Sequence, residues 1–195
     1  TVTPVNDSPV AASTDDATAE DTSVVLTLTG SDLDGDVVTV LLWGGAGGVL
    51  TDVVSAQGGT VAIGATTDDA AAATYTPAQD FNGADSFDFV VSDGQAESAP
   101  ATVTLTVSSV NDAPVASPVA AETAEDTPVD LQLTGTDVDG DILTALLWDG
   151  APQSESMATT SGGVVVISTT SGDIATATYT PPTDFSGSDS FDFLV

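Results

Sequence analysis

An internal repeat constrains the fold of this 195-residue chain more than any other feature. The motif Val-Asn-Asp-x-Pro-Val begins at Val5 and returns at Val110, an offset of 105 residues. The later motif Tyr-Thr-Pro begins at Tyr75 and again at Tyr179, an offset of 104 residues, so one residue is lost in between. Such a period is too long for one turn of a solenoid and fits one small β-domain per repeat.

The repeats divide the chain into three parts. We predict that residues 1–8 are the tail and linker of a preceding repeat, that residues 9–111 form repeat 1, and that residues 112–195 form repeat 2. An alternating apolar segment at residues 101–107 closes repeat 1, and repeat 2 has no counterpart of it. We therefore expect repeat 2 to lack its last strand and the chain to be a window from a longer array.

Short apolar segments separated by Gly, Asp and Pro clusters predict strands throughout. In repeat 1 we expect a short strand after Pro9 and further strands at residues 22–30, 37–43, 48–54, 60–63, 72–76, 85–92 and 102–107. The alanine run at residues 70–73 is compatible with a helical turn or with the start of a strand, and no amphipathic helix is predicted. About seven or eight strands per repeat predict an all-β fold of tandem Greek-key β-sandwiches, joined end to end.

The charge of the chain limits its partners and its chemistry. It has 30 acidic residues and no Lys, Arg or His, for a formal net charge of −30. Nucleic acid and anionic membrane surfaces repel such a polyanion, so we exclude both as partners. Catalytic triads, Schiff-base lysines and basic phosphate grips are also missing, and a carboxylate pair for glycoside hydrolysis has little weight among so many acids. We do not expect an enzyme.

Three acidic features occur twice in the chain. The first copies are the linker pair Asn6-Asp7, which precedes repeat 1, and Glu20-Asp21 and Asp32-x-Asp34-Gly-Asp36 within it. Three carboxylates around a glycine repel one another unless a cation is present. Hard oxygen ligands favour Ca²⁺, which accepts about 6–8 of them. The alternative is a tight turn without a metal. An EF-hand is excluded, because its twelfth position counted from Asp32 is Trp43 rather than Glu.

Strand length separates these features within one repeat. Glu20 precedes the strand at residues 22–30 and Asp32 follows it, and a strand of that length spans roughly 30 Å. The two residues therefore lie at opposite ends of a repeat and cannot share an ion. We expect Glu20 of repeat 1 to share an ion with Asp137 and Asp139 of repeat 2, which would join consecutive repeats into a rod.

The arrangement resembles the cadherin repeat and, more closely, the bacterial cadherin-like tandem repeats of giant secreted surface adhesins. Glu20 resembles the cadherin Glu at the base of the first strand, and Asp32 and Asp34 resemble its Asp-x-Asp loop. Asp93 resembles its single late Asp, and residues 110–114 resemble its Asn-Asp linker. The resemblance implies a cadherin-like or immunoglobulin-like sandwich, calcium-dependent rigidity, and a role in adhesion or surface architecture.

These observations define three groups of predicted metal ligands, with Ca²⁺ as the expected cofactor. The cadherin Asp-Arg-Glu motif is absent, and Asp80 is its nearest substitute. The inter-repeat site comprises Glu20, Asp21, Asp80, Asn111, Asp112, Asp137, Asp139 and Asp141. An N-terminal half-site comprises Asn6, Asp7, Asp32, Asp34, Asp36 and Asp93. A C-terminal half-site comprises Glu125, Asp126 and Asp184.

Three classes of function remain open. The first is a calcium-rigidified extracellular spacer or adhesion repeat, at the cell surface or secreted. The second is a self-associating structural protein of a filament, sheath or surface layer. The third is a glycan-binding module with Trp43 and Trp148 as stacking aromatics, although both are better interpreted as core-edge packing. Expected partners are neighbouring repeats of the same chain and other copies of it.

The missing last strand has one further consequence. It would leave a sheet edge exposed beside residues 191–195, and open edges with apolar alternation pair with other strands. In an assembly we expect a strand from another copy to fill that edge, with residues 1–3 as the candidate.

Overall fold

The computed structural model describes residues 1–3, 5–45, 48–153 and 155–195. The chain divides into two compact units, Thr1–Val110 and Asn111–Val195. Regular structure in the described residues is β-strand, as predicted, without any α-helix. Among those residues there is accordingly no helix that is long and apolar enough to span a membrane.

The first unit is a sandwich of two five-stranded sheets. Its strands are β1 (Val10–Ala12), β2 (Thr14–Ala19), β3 (Val24–Ser31), β4 (Thr39–Trp43), β5 (Val49–Leu50), β6 (Asp52–Val54), β7 (Thr60–Thr67), β8 (Ala70–Thr76), β9 (Gly83–Ser92) and β10 (Ala101–Ser108). One sheet has the order β1-β3-β8-β7-β6, and the other has the order β2-β10-β9-β4-β5. Neighbouring strands are antiparallel except β2 and β10, which are parallel.

Alternation along the strands builds the core of the first unit. Every second residue of β10 is buried and the residues between are exposed, because one face of the sheet packs inward and the other meets water. Leu28 from one sheet and Phe89 and Leu105 from the other are fully buried in one apolar cluster. Gly30 lets the sheets approach, since a Cβ there would lie 2.7 Å from a methyl carbon of Val91.

The structure corrects several details of the predicted strands. The alanine run is the start of strand β8, where Ala71 and Ala73 point into the core, and it is not a helical turn. The segment at residues 48–54 is split into β5 and β6, which belong to different sheets. Strand β4 begins at Thr39 rather than at residue 37. Strand β2 was not predicted, because its sequence alternates weakly and it forms by pairing with β10.

The second unit has one complete sheet and one shorter sheet. Its strands are β11 (Val115–Ser117), β12 (Val129–Thr136), β13 (Leu146–Trp148), β14 (Pro152–Gln153), β15 (Ser156–Ala158), β16 (Val164–Ser171), β17 (Ile174–Thr180) and β18 (Asp192–Leu194). The sheets have the orders β11-β12-β17-β16-β15 and β14-β13-β18. In its described residues no strand corresponds to β2 or β10 of the first unit.

This difference changes the burial of matching residues. Phe87 and Phe89 are buried in the first unit, whereas their counterparts Phe191 and Phe193 are half-buried. Within the described residues, β18 pairs with β13 alone, and residues 1–3 are not part of a strand. The predicted pairing of that edge with a strand of another copy stays a prediction.

Candidate functional site

The acidic loop of the first unit follows β3 and is held by its own carboxylates. Oδ1 of Asp32 accepts hydrogen bonds from the backbone N–H groups of Asp34 at 2.8 Å and Asp36 at 3.4 Å. Gly35 has φ of +83°, a left-handed conformation that glycine adopts without strain. Oδ2 of Asp34 accepts a bond from the backbone N–H of Asp7 at 2.7 Å. The loop is therefore fixed to the N-terminal segment.

The second oxygen of Asp32 has a different environment. Oδ2 of Asp32 is shielded from solvent and meets no hydrogen-bond donor among the described residues. The residue lines an open cavity of about 410 Å³ together with Asp7, Val10 and Leu33. A charged oxygen that has lost water and gained no donor is costly, because its desolvation is not offset.

Asp93 completes this end of the first unit. Its Oδ1 accepts the backbone N–H groups of Gln95 and Ala96, both at 2.6 Å, and its Oδ2 accepts a bond from the Asn6 side chain at 2.9 Å. The bond from Ala96 has the largest effect, followed by those from Asn6 and Gln95, and together they hold the pKa of Asp93 below its usual range. The Gln95 amide also donates to Oδ1 of Asn6 at 2.8 Å. All six residues of the predicted N-terminal half-site thus lie in one hydrogen-bonded group.

The second unit repeats this loop with nearly the same bonds. Oδ2 of Asp139 accepts the backbone N–H of Asp112 at 2.7 Å, and Oδ1 of Asp137 accepts that of Asp141 at 3.1 Å. The Asn111 amide donates to the carbonyl of Asp112 at 2.8 Å. A carboxylate oxygen of Asp112 lies within 4.8 Å of one of Asp139. That spacing suits two oxygens on one hard cation.

The opposite end of the first unit carries Glu20, Asp21 and Asp80. Glu20 is 3% exposed and accepts a hydrogen bond from the backbone N–H of Val110, while its own N–H donates to the carbonyl of Ser108 at 2.9 Å. Oδ1 of Asp21 accepts the backbone N–H of Asp80 at 3.3 Å, and both residues have left-handed φ near 54°. The end of β10 therefore orients the Glu20 carboxylate.

The same end of the second unit is less closed. Oδ1 of Asp126 accepts the backbone N–H of Asp184 at 3.0 Å, again with both residues at positive φ. Glu125 is exposed, unlike the buried Glu20, because the described part of this unit has no strand matching β10 to cover it. All three residues of the predicted C-terminal half-site lie at this end.

The predicted ligands are thus distributed as the sequence argument requires within each repeat. Glu20 and Asp32 lie beyond opposite ends of β3. Glu20, Asp21 and Asp80 belong to the first unit, and the other predicted inter-repeat ligands, from Asn111 to Asp141, belong to the second. The sharing of one ion by these two groups stays a prediction.

Sequence reasoning missed a carboxylate with several hydrogen bonds in each unit, Asp85, which is buried, and Asp189, which is half-buried. Asp85 is 3% exposed and lies between the sheets. Its Oδ2 accepts the hydroxyls of Ser55 at 2.5 Å and Tyr75 at 2.7 Å, and its Oδ1 accepts the backbone N–H groups of Gln57 at 2.9 Å and Ser86 at 2.7 Å. Four donors replace the water that burial removes. The sequence contained a signal for this burial, because Asp85 and Phe87 are two residues apart on one strand and therefore point to the same, inward side of the sheet.

The second unit has the same arrangement around Asp189. The hydroxyls of Thr159 and Tyr179 and the backbone N–H groups of Ser161 and Ser190 donate to its carboxylate. Burial alone would raise the pKa of this carboxyl, but the bonds from Thr159, Ser161, Tyr179 and Ser190 outweigh burial and hold the pKa well below its usual range. Asp189 is therefore ionised at neutral pH without a protein cation beside it.

In Asp85, too, the hydrogen bonds outweigh the effect of burial on the pKa. Burial would raise its pKa, and hydrogen bonds from Ser55, Tyr75 and the backbone of Ser86 and Gln57 lower it below the usual value. Burial and the adjacent Asp85 carboxylate in turn raise the pKa of Tyr75. These groups hold the sandwich together, and their hydrogen-bonding capacity is used within the protein.

A second pair of missed residues supports the acidic loops. Oδ1 of Asp69 accepts the backbone N–H of Val38 at 2.9 Å, and Oδ1 of Asp173 accepts that of Leu143 at 3.0 Å. Both donors lie two residues beyond the last aspartate of the loop, Asp36 in one unit and Asp141 in the other. Each loop is therefore held at both of its ends.

Trp43 lies at the rim of the first sandwich. It is half-buried and lines an open groove of about 680 Å³ with Leu50, Asp52 and Val61. In the second unit Trp148 is 36% exposed. Both positions agree with packing at the edge of the core.

The comparisons with known proteins concern the family and the fold. The sequence model of the family described as Bacterial Ig domain matches residues 6–106 and, a second time, residues 111–195. No curated protein matches the chain significantly.

The solved structures that resemble this chain include the following three. An endo-fucoidan hydrolase from glycoside hydrolase family 107 is 22% identical with a TM-score of 0.43, and the match covers 99% of this chain and 27% of that one. The titin domains Z1Z2 in complex with telethonin are 16% identical with a TM-score of 0.36, covering 90% and 82%. Domains 1–6 of surface layer protein SbsC are 15% identical with a TM-score of 0.32, covering 90% and 22%. At these values the similarities carry no argument about function.

Proposed function

The chain belongs to the bacterial Ig domain family, with tandem copies at residues 6–106 and 111–195, and from this premise we propose that it is a calcium-binding spacer or adhesion repeat of a large bacterial surface protein. In this proposal the repeats are of the cadherin-like kind, the protein is extracellular, and its role is mechanical rather than catalytic. Calcium stiffens the ends of each repeat, so that the array holds other domains away from the cell.

The environment of Asp32 carries the proposal. One oxygen of this carboxylate accepts two backbone N–H groups, and the other is shielded from solvent without a donor in the described part of the chain. No Lys, Arg or His exists to supply a positive charge. A cation at Oδ2 removes the cost of the unpaired charged oxygen, and it also offsets the repulsion from Asp34 and Asp36.

The chemistry of the donors favours calcium over other metals. The available ligands are carboxylate, amide and backbone oxygens, with no thiolate or imidazole in the sequence. Zinc and copper prefer nitrogen and sulfur ligands, while Mg²⁺ demands near-octahedral geometry and retains its waters. Flexible loops of mixed oxygen donors are typical of Ca²⁺ sites.

Titration calorimetry tests this proposal with a charge-matched control. We expect the parent chain to bind Ca²⁺ with a dissociation constant in the range of about 10⁻⁵ to 10⁻³ M, and we expect the double variant Asp137→Ala/Asp139→Ala to lose the site of the second unit. The control variant Asp15→Ala/Asp16→Ala removes the same formal charge from exposed positions of β2 and should bind as the parent does. Equal loss of binding in both variants would show diffuse counter-ion attraction instead of a site.

Thermal unfolding gives a second measurement. A ligand at about 100 times its dissociation constant stabilises the folded protein by roughly 2.7 kcal/mol, so calcium should raise the Tm of the parent and of the control. A Tm that does not respond to calcium in the parent, with both repeats folded by circular dichroism, would contradict the proposed stiffening.

A further inference from the structure

One sheet of the first unit has no acidic residues on four of its five strands. Strands β1, β3, β7 and β8 contain no Asp or Glu, although charged residues make up 15% of the chain. At the centre of this sheet the outward side chains are small and uncharged. We call this surface the neutral face, and its central residues are Val25, Thr27, Thr60, Ala62, Ala72 and Thr74.

The strand register places these residues side by side. Val25 of β3 is opposite Thr74 of β8, and Thr74 is in turn opposite Ala62 of β7. Thr27 is opposite Ala72. Directly opposed residues of paired strands point to the same side of a sheet, so the face is continuous across three strands. Val25 is 65% exposed, and the face has no covering element among the described residues.

Other surfaces of the protein differ in charge. On the second sheet of the same unit, β2 carries Asp15 and Asp16 and β9 carries Asp88. On the matching sheet of the second unit, Asp130 of β12 lies opposite Thr178 and accepts its hydroxyl at 2.7 Å. The fifth strand of the sheet that contains the neutral face is β6, which lies at the edge of that sheet and carries Asp52.

We propose that the neutral face is a self-association surface and that its partner is the same face of a second copy of this chain. Two copies with a net charge of −30 and no basic residue repel each other wherever carboxylates meet. On the neutral face no carboxylate has to be brought against another. A cationic partner would instead be drawn to the acidic loops, because the face offers it nothing to pair with.

The residues of the face suit a copy of themselves. A threonine hydroxyl both donates and accepts hydrogen bonds, so Thr27, Thr60 and Thr74 can bond to the same residues of a second copy. In a two-fold interface the same patch is used by both partners, which requires such self-complementarity. Alanine and threonine are also small, and they allow two sheets to approach closely, near the roughly 10 Å spacing of packed sheets.

The size of the face predicts weak association. Three to four strands spaced by about 4.8 Å, with roughly 20 Å of length each, present about 300–400 Å² per copy. Two copies would bury about 600–800 Å², which is below the roughly 1,000 Å² of stable specific interfaces and fits a weak, transient one. We therefore expect dimers that form at high concentration and dissociate on dilution.

Salt dependence distinguishes this association from calcium bridging. Sodium chloride shortens the Debye length from about 30 Å at 0.01 M to about 3 Å at 1 M, which weakens the repulsion between the two polyanions. In EDTA, we expect sedimentation equilibrium to show an association constant that rises at least about tenfold between 0.02 and 0.5 M NaCl. A chain that remains monomeric at millimolar concentration in 0.5 M NaCl would overturn the proposal.

Matched substitutions test the location of the interface. Thr74→Asp places a carboxylate at the centre of the face, where juxtaposed like charges should lower the association constant by at least about tenfold. Thr106→Asp adds the same charge at an exposed position of β10, between Ala17 and Ala84 on its neighbouring strands, and should change it less than about twofold. Equal effects in the two variants would place the interface elsewhere. Thr27→Asp on β3 replaces Thr74→Asp if that variant does not fold by circular dichroism.

Chemical cross-linking gives an independent measurement. The chain has no cysteine, so Thr74→Cys and Thr106→Cys each introduce one unique thiol. In 0.5 M NaCl with EDTA, a short bis-maleimide should link two copies through Cys at position 74 and give less product at position 106. The reverse ranking would overturn the assignment. Since all of these measurements exclude calcium, self-association and calcium binding can each fail alone.

Discussion

The buried carboxylate of Asp85 offers the most direct test of how this chain tolerates charge in its core. In Asp85→Asn the amide oxygen can still accept the N–H groups of Gln57 and Ser86, and the amide nitrogen then faces the hydroxyls of Ser55 and Tyr75. Hydrogen bonds to a charged group contribute about 1.5–3 kcal/mol each and neutral ones about 0.5–1.5 kcal/mol. Weakening of all four bonds, with partial rearrangement of the hydroxyls, gives an expected destabilisation of about 2–4 kcal/mol.

Each repeat has one tryptophan, which makes the measurement specific. In a Trp148→Phe background Trp43 is the sole tryptophan and its fluorescence reports urea unfolding of the first unit. Two-domain chains do not unfold in one step, so a local reporter is required. Asp15→Asn, an exposed change of the same chemistry, should alter stability by no more than about 0.5 kcal/mol. If Asp85→Asn and Asp15→Asn have the same effect, the four hydrogen bonds do not stabilise the core as argued.

Two further predictions follow from the same packing. In EDTA, stability should stay nearly constant from pH 7 to about 5 and should decrease as pH falls below about 3.9, the pKa of an unfolded aspartate. The pKa values of Asp85 and Asp189 are depressed by folding, so their contribution is complete above the unfolded pKa and is lost as pH falls through the folded one; urea midpoints that still increase below pH 3 would contradict this. Gly59→Ala should cost about 1–3 kcal/mol, because its Cβ would lie 2.8 Å from the Tyr75 ring, while Gly64→Ala, 3.4 Å from its nearest neighbour, should cost less than 1 kcal/mol in the same urea assay.

The regular part of the fold was predictable because local pattern and tertiary contacts agree there. The alternation in β10 and the inward parity of Leu26 and Leu28 identify buried faces from sequence alone. Strand β2 could not be found this way, since its parallel partner β10 lies about 90 residues later and supplies the pairing that its own residues do not specify. The division of residues 48–54 between two sheets is equally a tertiary outcome.

The positions of the proposed ligands within each repeat were predictable, and their hydrogen bonds were not. Repetition of the acidic motifs identified Asp32 and Asp34, the resemblance to cadherin repeats identified Asp93, and strand length placed Glu20 at the other end of the repeat. Sequence could not reveal that Asp93 binds Asn6 or that Asp34 holds the backbone of Asp7, because those contacts join segments that are distant along the chain. Asp85 was overlooked because an aspartate in an acidic chain is first interpreted as a surface residue.

A comparison of Asp85 with Asp32 shows why our calcium proposal concerns one of these acidic residues and not the other. In a chain without basic residues, a desolvated carboxylate can be stabilised only by neutral donors or by a cation from solution. Both oxygens of Asp85 accept two hydrogen bonds, so the charge is spread over four donors and no ion is required. Asp32 has two donors on Oδ1 and none on its shielded Oδ2 in the described structure. The proposal of a cation therefore rests on this deficit of donors rather than on the density of acidic residues, and it concerns the loop after β3 rather than the buried Asp85.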